Sequence, residues 1–289
     1  MRIIPNCNSI DAIDRMGIFI GWGGVLTEMS DFLQIHQDKG VLRIRLNRPE
    51  VHNAFDDQLI AELTAAFDKA AFDESVRVIV LESEGHSFSA GADLNWMRGV
   101  IAASEEQNIE DSRALALLMR TINSLPKPTI ARVQGAAFGG GVGLVACCDI
   151  AIGTPNAVFA LSESRLGLLP AVISPYVIEA IGVRQARRYF ATGERFSAQR
   201  AWELGLLHEV VEPHVLDEAV DKTIKALLDA GPVATGSAKQ LINLVVSTTD
   251  AAAQDEANSR LIARLRVSPE GQEGLTAFLE KRKPSWMEQ

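Results

Sequence analysis

Cysteine is scarce in this sequence of 289 residues, which contains only three. Cys147 and Cys148 are adjacent and Cys7 lies near the start of the chain, so no disulfide framework is indicated. Free cysteine behaves as a small apolar residue, and we expect Cys147 and Cys148 to be buried. A chain without disulfides is typical of a reducing compartment, and we expect this protein in the cytoplasm.

The sequence also lacks an excess of positive charge. Its 28 Lys and Arg residues are outnumbered by 37 Asp and Glu residues, which gives a formal net charge of -9. A nucleic-acid-binding domain normally has a basic stripe that contacts phosphates. The cluster of Arg184, Arg187 and Arg188 is more typical of a solvated helix face. The charge balance therefore argues against a nucleic-acid partner, and also against an RNA-associated scaffold.

No apolar run is long enough to span a bilayer, so no membrane partner is expected. The apolar, glycine-rich stretch at 16–26 follows Asp11 and Asp14, whereas a secretory signal has positive charge before its apolar segment. We interpret residues 1–28 as an N-terminal extension with no catalytic part. Our hypothesis for its origin is a misplaced translation start.

Two common catalytic signatures are missing from the chain. The G-x-S-x-G elbow of serine hydrolases does not occur. The five histidines show no metal-ligand spacing such as H-E-x-x-H, so no metal is expected. They are His36, His52, His86, His208 and His214.

Strand and helix patterns alternate along the first two thirds of the chain. Residues 41–46 alternate apolar and basic side chains, as in a half-buried strand, and 76–81 form an apolar, mostly β-branched run, as in a buried strand. Such alternation predicts an α/β core with largely parallel strands. The other predicted elements are a strand at 129–133, a helix capped by Asp56 or Asp57, and a helix at 105–124.

After Ser174 the pattern becomes almost wholly helical. We divide the chain into the extension 1–28, an α/β core 29–215 and a C-terminal helical region 216–289. The helical region is expected to form a packing or subunit-contact layer. The predicted helices after Ser174 span 184–191, 198–204, 215–230, 233–246 and 251–266.

Two glycine-bearing stretches indicate the chemistry. Ser89-Ala90-Gly91-Ala92-Asp93-Leu94 and the stretch from Gly135 to Gly143 each fit a strand that enters a tight turn and then a helix. A helix start exposes unpaired N–H groups, and two such starts can direct two donors at one carbonyl oxygen. This arrangement is an oxyanion hole, which stabilises an enolate or a tetrahedral anion. Glu163 follows an apolar strand-like segment, where burial raises the pKa of a carboxyl group toward values useful in proton transfer.

One different class of function fits part of the same region. Gly141 to Ala146 match the pattern G-x-G-x-x-A, and Glu163 lies at about the distance of a ribose-binding acid. This leaves a nicotinamide-dependent dehydrogenase as an alternative. The helix before Asp149 is short for a full crossover, and two strands and a helix already precede it, so the context disfavours this alternative.

Ordered segments along the chain match a known family. They are Asn47-Arg48-Pro49-Glu50-Val51-His52-Asn53-Ala54, the two glycine stretches, Cys148-Asp149-Ile150-Ala151, Ala201-Trp202-Glu203-Leu204-Gly205-Leu206-Leu207 and Phe278-Leu279-Glu280-Lys281-Arg282-Lys283-Pro284. From about Asp31 to the C-terminus the chain resembles the enoyl-CoA hydratase/isomerase (crotonase) superfamily. The resemblance implies a crotonase-like ββα spiral core with a C-terminal helical trimerisation region. It also implies a homotrimer or a homohexamer built as a dimer of trimers.

The resemblance assigns roles to individual residues. The N–H groups of Ala92 and Gly140 form the oxyanion hole around a thioester carbonyl, and Glu163 is the general acid/base. Asp93 caps a helix and is not expected to act as an acid. Coenzyme A is part of the substrate, so no separate cofactor is expected. Residues expected at the coenzyme A moiety are Ala54, Ala90, Gly91, Asp93, Leu94, Phe278 and Lys281, the last two from a neighbouring subunit.

The chain departs from its family where hydratases typically have a second glutamate, because that position is Gly143. Either Glu163 works alone with a water held by backbone groups, or another side chain fills the gap. Glu110, Asp111 and Ser174 are candidates that the sequence does not rank. One carboxylate can also move a proton between the α- and γ-carbons, so an enoyl-CoA delta-isomerase is the alternative to a hydratase.

A second departure indicates the subfamily. Most relatives have a glycine-rich stretch after Leu168-Leu169-Pro170, whereas this chain has Ala171-Val172-Ile173-Ser174-Pro175-Tyr176. With Ala136-Ala137-Phe138-Gly139-Gly140 and Asn95-Trp96-Met97, this segment resembles bacterial methylglutaconyl-CoA hydratases and hydratases of acyclic terpene breakdown. Both substrates have a distal carboxylate, for which Arg165 is a candidate partner, although a structural role is favoured. We expect a hydratase of a short branched enoyl-CoA, 3-methylglutaconyl-CoA.

Overall fold

The structure, a computed structural model, describes residues 17–20 and 26–287. Two sheets and a set of surrounding helices make up the described part of the chain. The strands are β1 Gly17–Ile20, β2 Leu26–Met29, β3 Leu33–Asp38, β4 Val41–Leu46, β5 Val78–Ser83, β6 Ser87–Ser89, β7 Thr129–Val133, β8 Ala136–Phe138, β9 Ile150–Gly153, β10 Val158–Ala160, β11 Phe196–Ser197 and β12 Glu209–Val210. The helices are α1 Asp57–Phe72, α2 Leu94–Ala102, α3 Glu105–Ser124, α4 Gly140–Cys147, α5 Ser174–Thr192, α6 Ala198–Leu204, α7 Leu216–Asp229, α8 Pro232–Ser247, α9 Ala251–Val267 and α10 Pro269–Glu280.

The larger sheet has the strand order β1-β2-β3-β4-β5-β7-β9-β12, and the smaller has the order β11-β10-β8-β6. Strands β4, β5, β7, β9 and β12 run parallel. The chain forms three consecutive strand pairs, β5/β6, β7/β8 and β9/β10. In each pair the first strand belongs to the larger sheet and the second to the smaller, and a helical segment follows. This repeat confirms the predicted α/β class and the ββα spiral core.

Burial follows the sequence patterns of the strands. All six residues of β5 are buried, whereas β4 alternates half-buried and buried positions. The N-terminal cap of α1 is Asp56, whose Oδ1 accepts a hydrogen bond from Leu59 N at 2.8 Å. Such a cap stabilises a helix by roughly 1 kcal/mol. Cys147 and Cys148 are buried, as predicted, and burial raises the pKa of the Cys148 thiol to about 12.

Several predicted bounds match the structure, and others differ for local reasons. The strand at 129–133 and the helix at 105–124 are confirmed, the latter beginning with a capping box between Ser104 and Gln107. Strand β5 begins two residues later than predicted, because Val76 N–H closes a turn on Asp73 O. Helix α5 begins earlier than predicted and bends at Gly182, whose φ is 75°. Helix α10 is missing from the predictions.

The described part of the extension adds strands to the larger sheet. Strand β1 pairs antiparallel with β2, and β2 pairs antiparallel with β3. The predicted boundary at 28/29 therefore falls inside β2. The rest of the extension, including Cys7, Asp11 and Asp14, lies outside the described residues, and its lack of a catalytic part stays a prediction.

The C-terminal helices pack on the core through apolar and charged contacts. Helix α7 buries Leu216, Val220 and Ile224 against apolar residues of β5, β7 and β9. In helix α8, Lys239 Nζ lies 2.9 Å from Asp149 Oδ2. These helices match the trimerisation region of the crotonase fold. In the part of the chain described here, no helix has the length and apolar character needed to cross a membrane.

Candidate active site

The first predicted strand–turn–helix unit is present at the end of β6. Gly91 has a φ of 85°, in the left-handed region that glycine adopts without a steric cost. Helix α2 then begins, and its cap Asp93 accepts hydrogen bonds through Oδ1 from Asn95 N at 2.7 Å and Trp96 N at 3.3 Å. Asp93 is thus occupied in capping, as the sequence predicts.

The second unit follows β8. Gly139 has a φ of 50°, and its N–H donates to Ala160 O at 2.9 Å, which joins the turn to the end of β10. Helix α4 begins at Gly140. The predicted second turn is therefore confirmed, and it lies beside the segment that leads to Glu163.

The two turns are in direct contact through their backbones. A Cβ atom added at Gly91 would lie 2.8 Å from the carbonyl oxygen of Phe138. One added at Gly141 would lie 2.5 Å from the carbonyl oxygen of Ser89. Both distances are too short for a real side chain, so glycine is required for the two helix starts to come together.

The two N–H groups assigned to the oxyanion hole have no hydrogen-bond partner in the part of the chain that the structure describes. Phe55 N–H donates to Gly91 O at 2.6 Å, and Asp93 N–H donates to Phe55 O at 2.7 Å. Because neighbouring N–H groups of an extended backbone alternate in direction, the N–H of Ala92 points away from Phe55. Gly140 is the first residue of its helix, where N–H groups lack intrahelical acceptors. Among residues 17–20 and 26–287, neither the Ala92 nor the Gly140 N–H donates a hydrogen bond.

Glu163 lies next to the second turn. It belongs to a short 3₁₀ helix, Ser162–Leu166, that follows β10. A Cβ atom added at Gly139 would lie 3.1 Å from Glu163 Oε1, so the carboxyl group contacts the backbone immediately before Gly140. Its Oε2 atom is buried and has no hydrogen-bond partner in the described part of the chain. Burial raises the pKa of the Glu163 carboxyl above its usual value of 4.5.

The raised pKa makes stability depend on pH. Between pH 4.5 and the raised pKa the folded protein binds more protons at Glu163 than the unfolded chain does, so stability falls as pH rises through this window. Glu163→Gln removes the ionisation. We expect its stability advantage over the wild type to be smallest below pH 4.5, to grow with pH, and to become constant above the raised pKa. Urea unfolding at a series of pH values measures this difference.

The matched control for that series is Glu110→Gln, because Glu110 is an exposed residue of α3. Because Glu110 is exposed, its substitution should change the free energy of unfolding by no more than about 0.5 kcal/mol at each pH, as is usual for a surface residue. A flat difference for Glu163→Gln would mean that burial of this carboxyl group does not oppose its ionisation.

Gly143 stands where the family has its second glutamate, and the space that a side chain would need there is occupied by Ile173. A Cβ atom added at Gly143 would lie 2.3 Å from Ile173 Cγ2 and 3.2 Å from Met119 Cε. Ile173 is 2% exposed. The two departures from the family, glycine at position 143 and the segment 171–176, therefore have one steric explanation. Ile173 of that segment lies where a side chain at position 143 would have to lie.

None of the three side chains considered as a second group beside Glu163 contacts it through a hydrogen bond or ion pair within the described residues. Glu110 Oε1 pairs with Arg113 Nη1 at 2.5 Å on the exposed face of α3. Ser174 Oγ donates to Ala171 O at 2.8 Å. Asp111 is a half-buried residue of α3.

A cleft that the sequence did not reveal lies between α3 and the segment before α5. Its volume is about 420 Å³, and its lining includes Asn108, Ile109, Ser112 and Ala116 of α3 together with Val172. Val172 precedes Ile173, which packs on α4 one helical turn from Gly140. The helical spacing of the α3 residues is the signal in the sequence that could have identified this wall.

The residues predicted at coenzyme A separate into two groups. Ala54 and Ala90 are near the first turn, where Ala90 N–H donates to His52 O at 2.9 Å, and the adjacent Leu94 is 72% exposed. Phe278 and Lys281 lie at the end of α10, which packs on α9. The role of both groups in binding coenzyme A stays a prediction.

Arg165 is engaged outside the site. Its side chain packs at Gly193, and its Nε lies 3.5 Å from Thr192 O, at the C-terminal end of α5. This placement agrees with the structural role that the sequence favours.

The dinucleotide alternative does not fit the structure. Gly141 to Ala146 lie inside α4, whereas a dinucleotide fingerprint places its first glycines in the turn before a helix. The small side chains of α4 are explained by close packing, because Gly141 meets Ser89 and Gly143 meets Ile173. In the described part of the chain, no group of three His, Cys, Asp or Glu side chains could hold a metal ion.

Comparisons with known proteins agree with this geometry. The family model of enoyl-CoA hydratase/isomerase matches residues 36–289. The crystal structure of an enoyl-CoA hydratase from Shewanella pealeana is similar over 97% of this chain and 100% of that chain, with a TM-score of 0.87 and 42% sequence identity.

Curated relatives include both hydratases and an isomerase. Enoyl-CoA hydratase AKT6-1 of Alternaria alternata is 36% identical over 261 residues, which cover 86% of this chain and 82% of that protein. The 1,2-epoxyphenylacetyl-CoA isomerase of Escherichia coli is 32% identical over 263 residues, which cover 89% of this chain and 99% of that protein.

Proposed function

This chain belongs to the enoyl-CoA hydratase/isomerase family, whose substrates are acyl-CoA thioesters, and we propose that within this family it is a hydratase. The reaction is addition of water across the double bond of a short branched enoyl-CoA, 3-methylglutaconyl-CoA. The observation that supports the proposal most lies at the two glycine turns. Two N–H groups without a partner among the described residues come together there with a carboxyl group whose Oε2 atom is buried.

The two N–H groups stabilise the charge that develops on the substrate. The thioester oxygen accepts from Ala92 N–H and Gly140 N–H, so electron density moves from the double bond to this oxygen as water attacks the β-carbon. Oriented donors in a water-poor site favour the enolate over the substrate, and they are already in place before the reaction.

One carboxyl group suffices for both proton transfers. Ionised Glu163 removes a proton from water while the water oxygen bonds to the β-carbon. The enolate then collapses, and its α-carbon takes the same proton from protonated Glu163, which restores the carboxylate. A raised pKa helps this cycle, because the group must bind and release a proton near neutral pH.

Isomerisation is the second candidate, and one observation favours it. Ile173 and Met119 occupy the space beside Gly143, so the second family glutamate has no replacement at that position. Without a second carboxylate, Glu163 can move a proton between the α- and γ-carbons of the same enolate.

The choice of substrate rests on the resemblance of the segment 171–176 to methylglutaconyl-CoA hydratases. In this proposal the acyl chain extends toward the cleft at Val172, and coenzyme A lies along Ala54, Ala90 and Leu94. Phe278 and Lys281 reach the nucleotide from a neighbouring subunit. The protein is then a homotrimer or a dimer of trimers in the cytoplasm.

Heavy-oxygen water tests the proposed reaction. The protein is incubated with 3-methylglutaconyl-CoA, with crotonyl-CoA in a parallel reaction, and the products are analysed by mass spectrometry. A hydratase incorporates the label into a hydroxyacyl product, and we expect faster turnover of 3-methylglutaconyl-CoA. An unlabelled product with a shifted double bond would show that the protein is an isomerase. Equal turnover of both thioesters would refute the proposal that 3-methylglutaconyl-CoA is the substrate.

A further inference from the structure

Arg48 is not one of the reacting groups, but its side chain makes four contacts beside the first turn. Its Nη1 donates to Ala54 O at 2.8 Å and lies 2.8 Å from Asp56 Oδ2, and its Nη2 lies 3.3 Å from Asp93 Oδ2. The guanidinium carbon is 4.9 Å from the centre of the Phe32 ring. The side chain is only 14% exposed.

The three polar partners of Arg48 belong to the segments that define the first turn. Asp93 caps α2 and directly follows Ala92. Ala54 precedes Phe55, whose backbone accepts from and donates to the turn at 2.7 and 2.6 Å. Asp56 caps α1 on the other side of Phe55.

Phe55 extends this arrangement to the second turn. A Cβ atom added at Gly140 would lie 2.5 Å from Phe55 Cε2, so the ring packs on the backbone of the second donor. Arg48 therefore holds the residues on both sides of Phe55, while Phe55 contacts both halves of the proposed oxyanion hole.

We infer that Arg48 is a positioning residue that sets the placement of the Ala92 N–H and, through Phe55, of the Gly140 N–H. The inference rests on the proposed function, because it concerns the same oxyanion hole. A guanidinium suits this positioning role because the group presents five donors in a rigid plane. Its charge-assisted hydrogen bonds to carboxylates are also strong. A lysine ammonium at this place keeps the charge but cannot span three acceptors in one plane.

Arg48→Lys tests the inference by steady-state kinetics. We expect kcat to fall by roughly tenfold to a hundredfold, because displacement of a catalytic group by about 1 Å costs rate on this scale. KM should stay within about twofold, and the pH midpoint of kcat should not move, since Glu163 keeps its surroundings. Unchanged kcat in a folded Arg48→Lys protein would overturn the inference.

The matched control is Arg45→Lys. Arg45 is a nearby residue of β4 that pairs with Glu82 at 2.8 Å and Glu84 at 3.5 Å, away from both turns. Arg45→Lys makes the same change of side chain as Arg48→Lys and removes the same planar donors. We expect its kcat to equal that of the wild type, and an equal loss in both variants would count against a specific role of Arg48.

Infrared spectroscopy of the bound thioester observes the oxyanion hole without turnover. Crotonyl-CoA labelled with carbon-13 at the carbonyl is bound to E163Q, E163Q/R48K and E163Q/R45K proteins. Donors at the carbonyl oxygen lower its stretching frequency. We expect a red shift in E163Q and E163Q/R45K and a smaller one in E163Q/R48K.

The outcomes separate this inference from the proposed function. No red shift in E163Q would refute the oxyanion hole itself. A red shift of the same size in E163Q and E163Q/R48K would refute only the role of Arg48. If Arg48→Lys does not fold, Asp93→Asn replaces it, because asparagine still caps α2 but removes the charge that faces Arg48. The same decrease of the red shift is then expected, and an unchanged shift again refutes the role of Arg48.

Discussion

Glu163→Gln is expected to lower the turnover of enoyl-CoA by on the order of a hundredfold or more, as removal of a positioned acid/base does. Glutamine nearly preserves the size of the side chain and its contact with Gly139, but it cannot exchange a proton with water or with the α-carbon. Substrate should still bind, because the N–H groups of Ala92 and Gly140 are untouched. The measurement is kcat and KM for hydration, followed by loss of the enoyl absorbance.

Two comparisons make this result specific. Glu110→Gln removes a carboxylate from the exposed face of α3 and should retain full turnover. Glu163→Gln should be no less stable than the wild type at neutral pH, because it removes a carboxyl group whose ionisation is opposed by burial and whose Oε2 has no partner in the described part of the chain. Near-normal turnover in Glu163→Gln would exclude Glu163 from the mechanism.

Gly143→Glu is expected to destabilise the protein by about 3 kcal/mol or more. Overpacking of a core costs typically 1–3 kcal/mol, and burial of a carboxylate without partners adds to this cost. The reason is local, since even a Cβ atom would lie 2.3 Å from Ile173 Cγ2. Urea unfolding of the purified variant measures the change.

Ile173→Gly is expected to rescue the substituted glutamate. Alone, Ile173→Gly leaves a cavity and costs roughly 2–5 kcal/mol. In Gly143→Glu/Ile173→Gly the new side chain enters the space that the isoleucine leaves, so the two losses should not add and the coupling free energy should favour the pair. Full additivity would show that Ile173 does not exclude a side chain from position 143.

The double variant also bears on the reaction. With a second carboxylate one turn along α4 from Gly140, water has a second group that can orient it. We expect the double variant to hydrate faster than Ile173→Gly alone. A lower rate would indicate that the single-carboxylate site depends on the apolar wall at Ile173.

Much of the local structure could be predicted from the chain because it depends on neighbouring residues. Alternation in β4 and continuous apolar residues in β5 follow from which faces of a strand are buried. Caps at Asp56 and Asp93 follow from the preference of helix starts for short acceptors. Helix α10 escaped prediction because its apolar side chains other than Pro269 all lie in its second half, and only Ala277 among them is buried.

The candidate site was predictable as a set of residues but not as an arrangement. The glycine turns are local, and the resemblance extended them to Ala92, Gly140 and Glu163. That these groups meet depends on contacts between Gly91 and Phe138 and between Gly139 and Glu163, which join parts of the chain far apart in sequence.

Residue order alone thus determined the α/β class, the two helix starts with their glycines, and the absence of a second glutamate at Gly143. Only the tertiary structure decided that Ile173 fills this place and that Arg48 joins the segments around the first turn. The physical reason is range: turns, caps and periodicity act over a few residues, whereas packing and ion pairing depend on where distant segments meet.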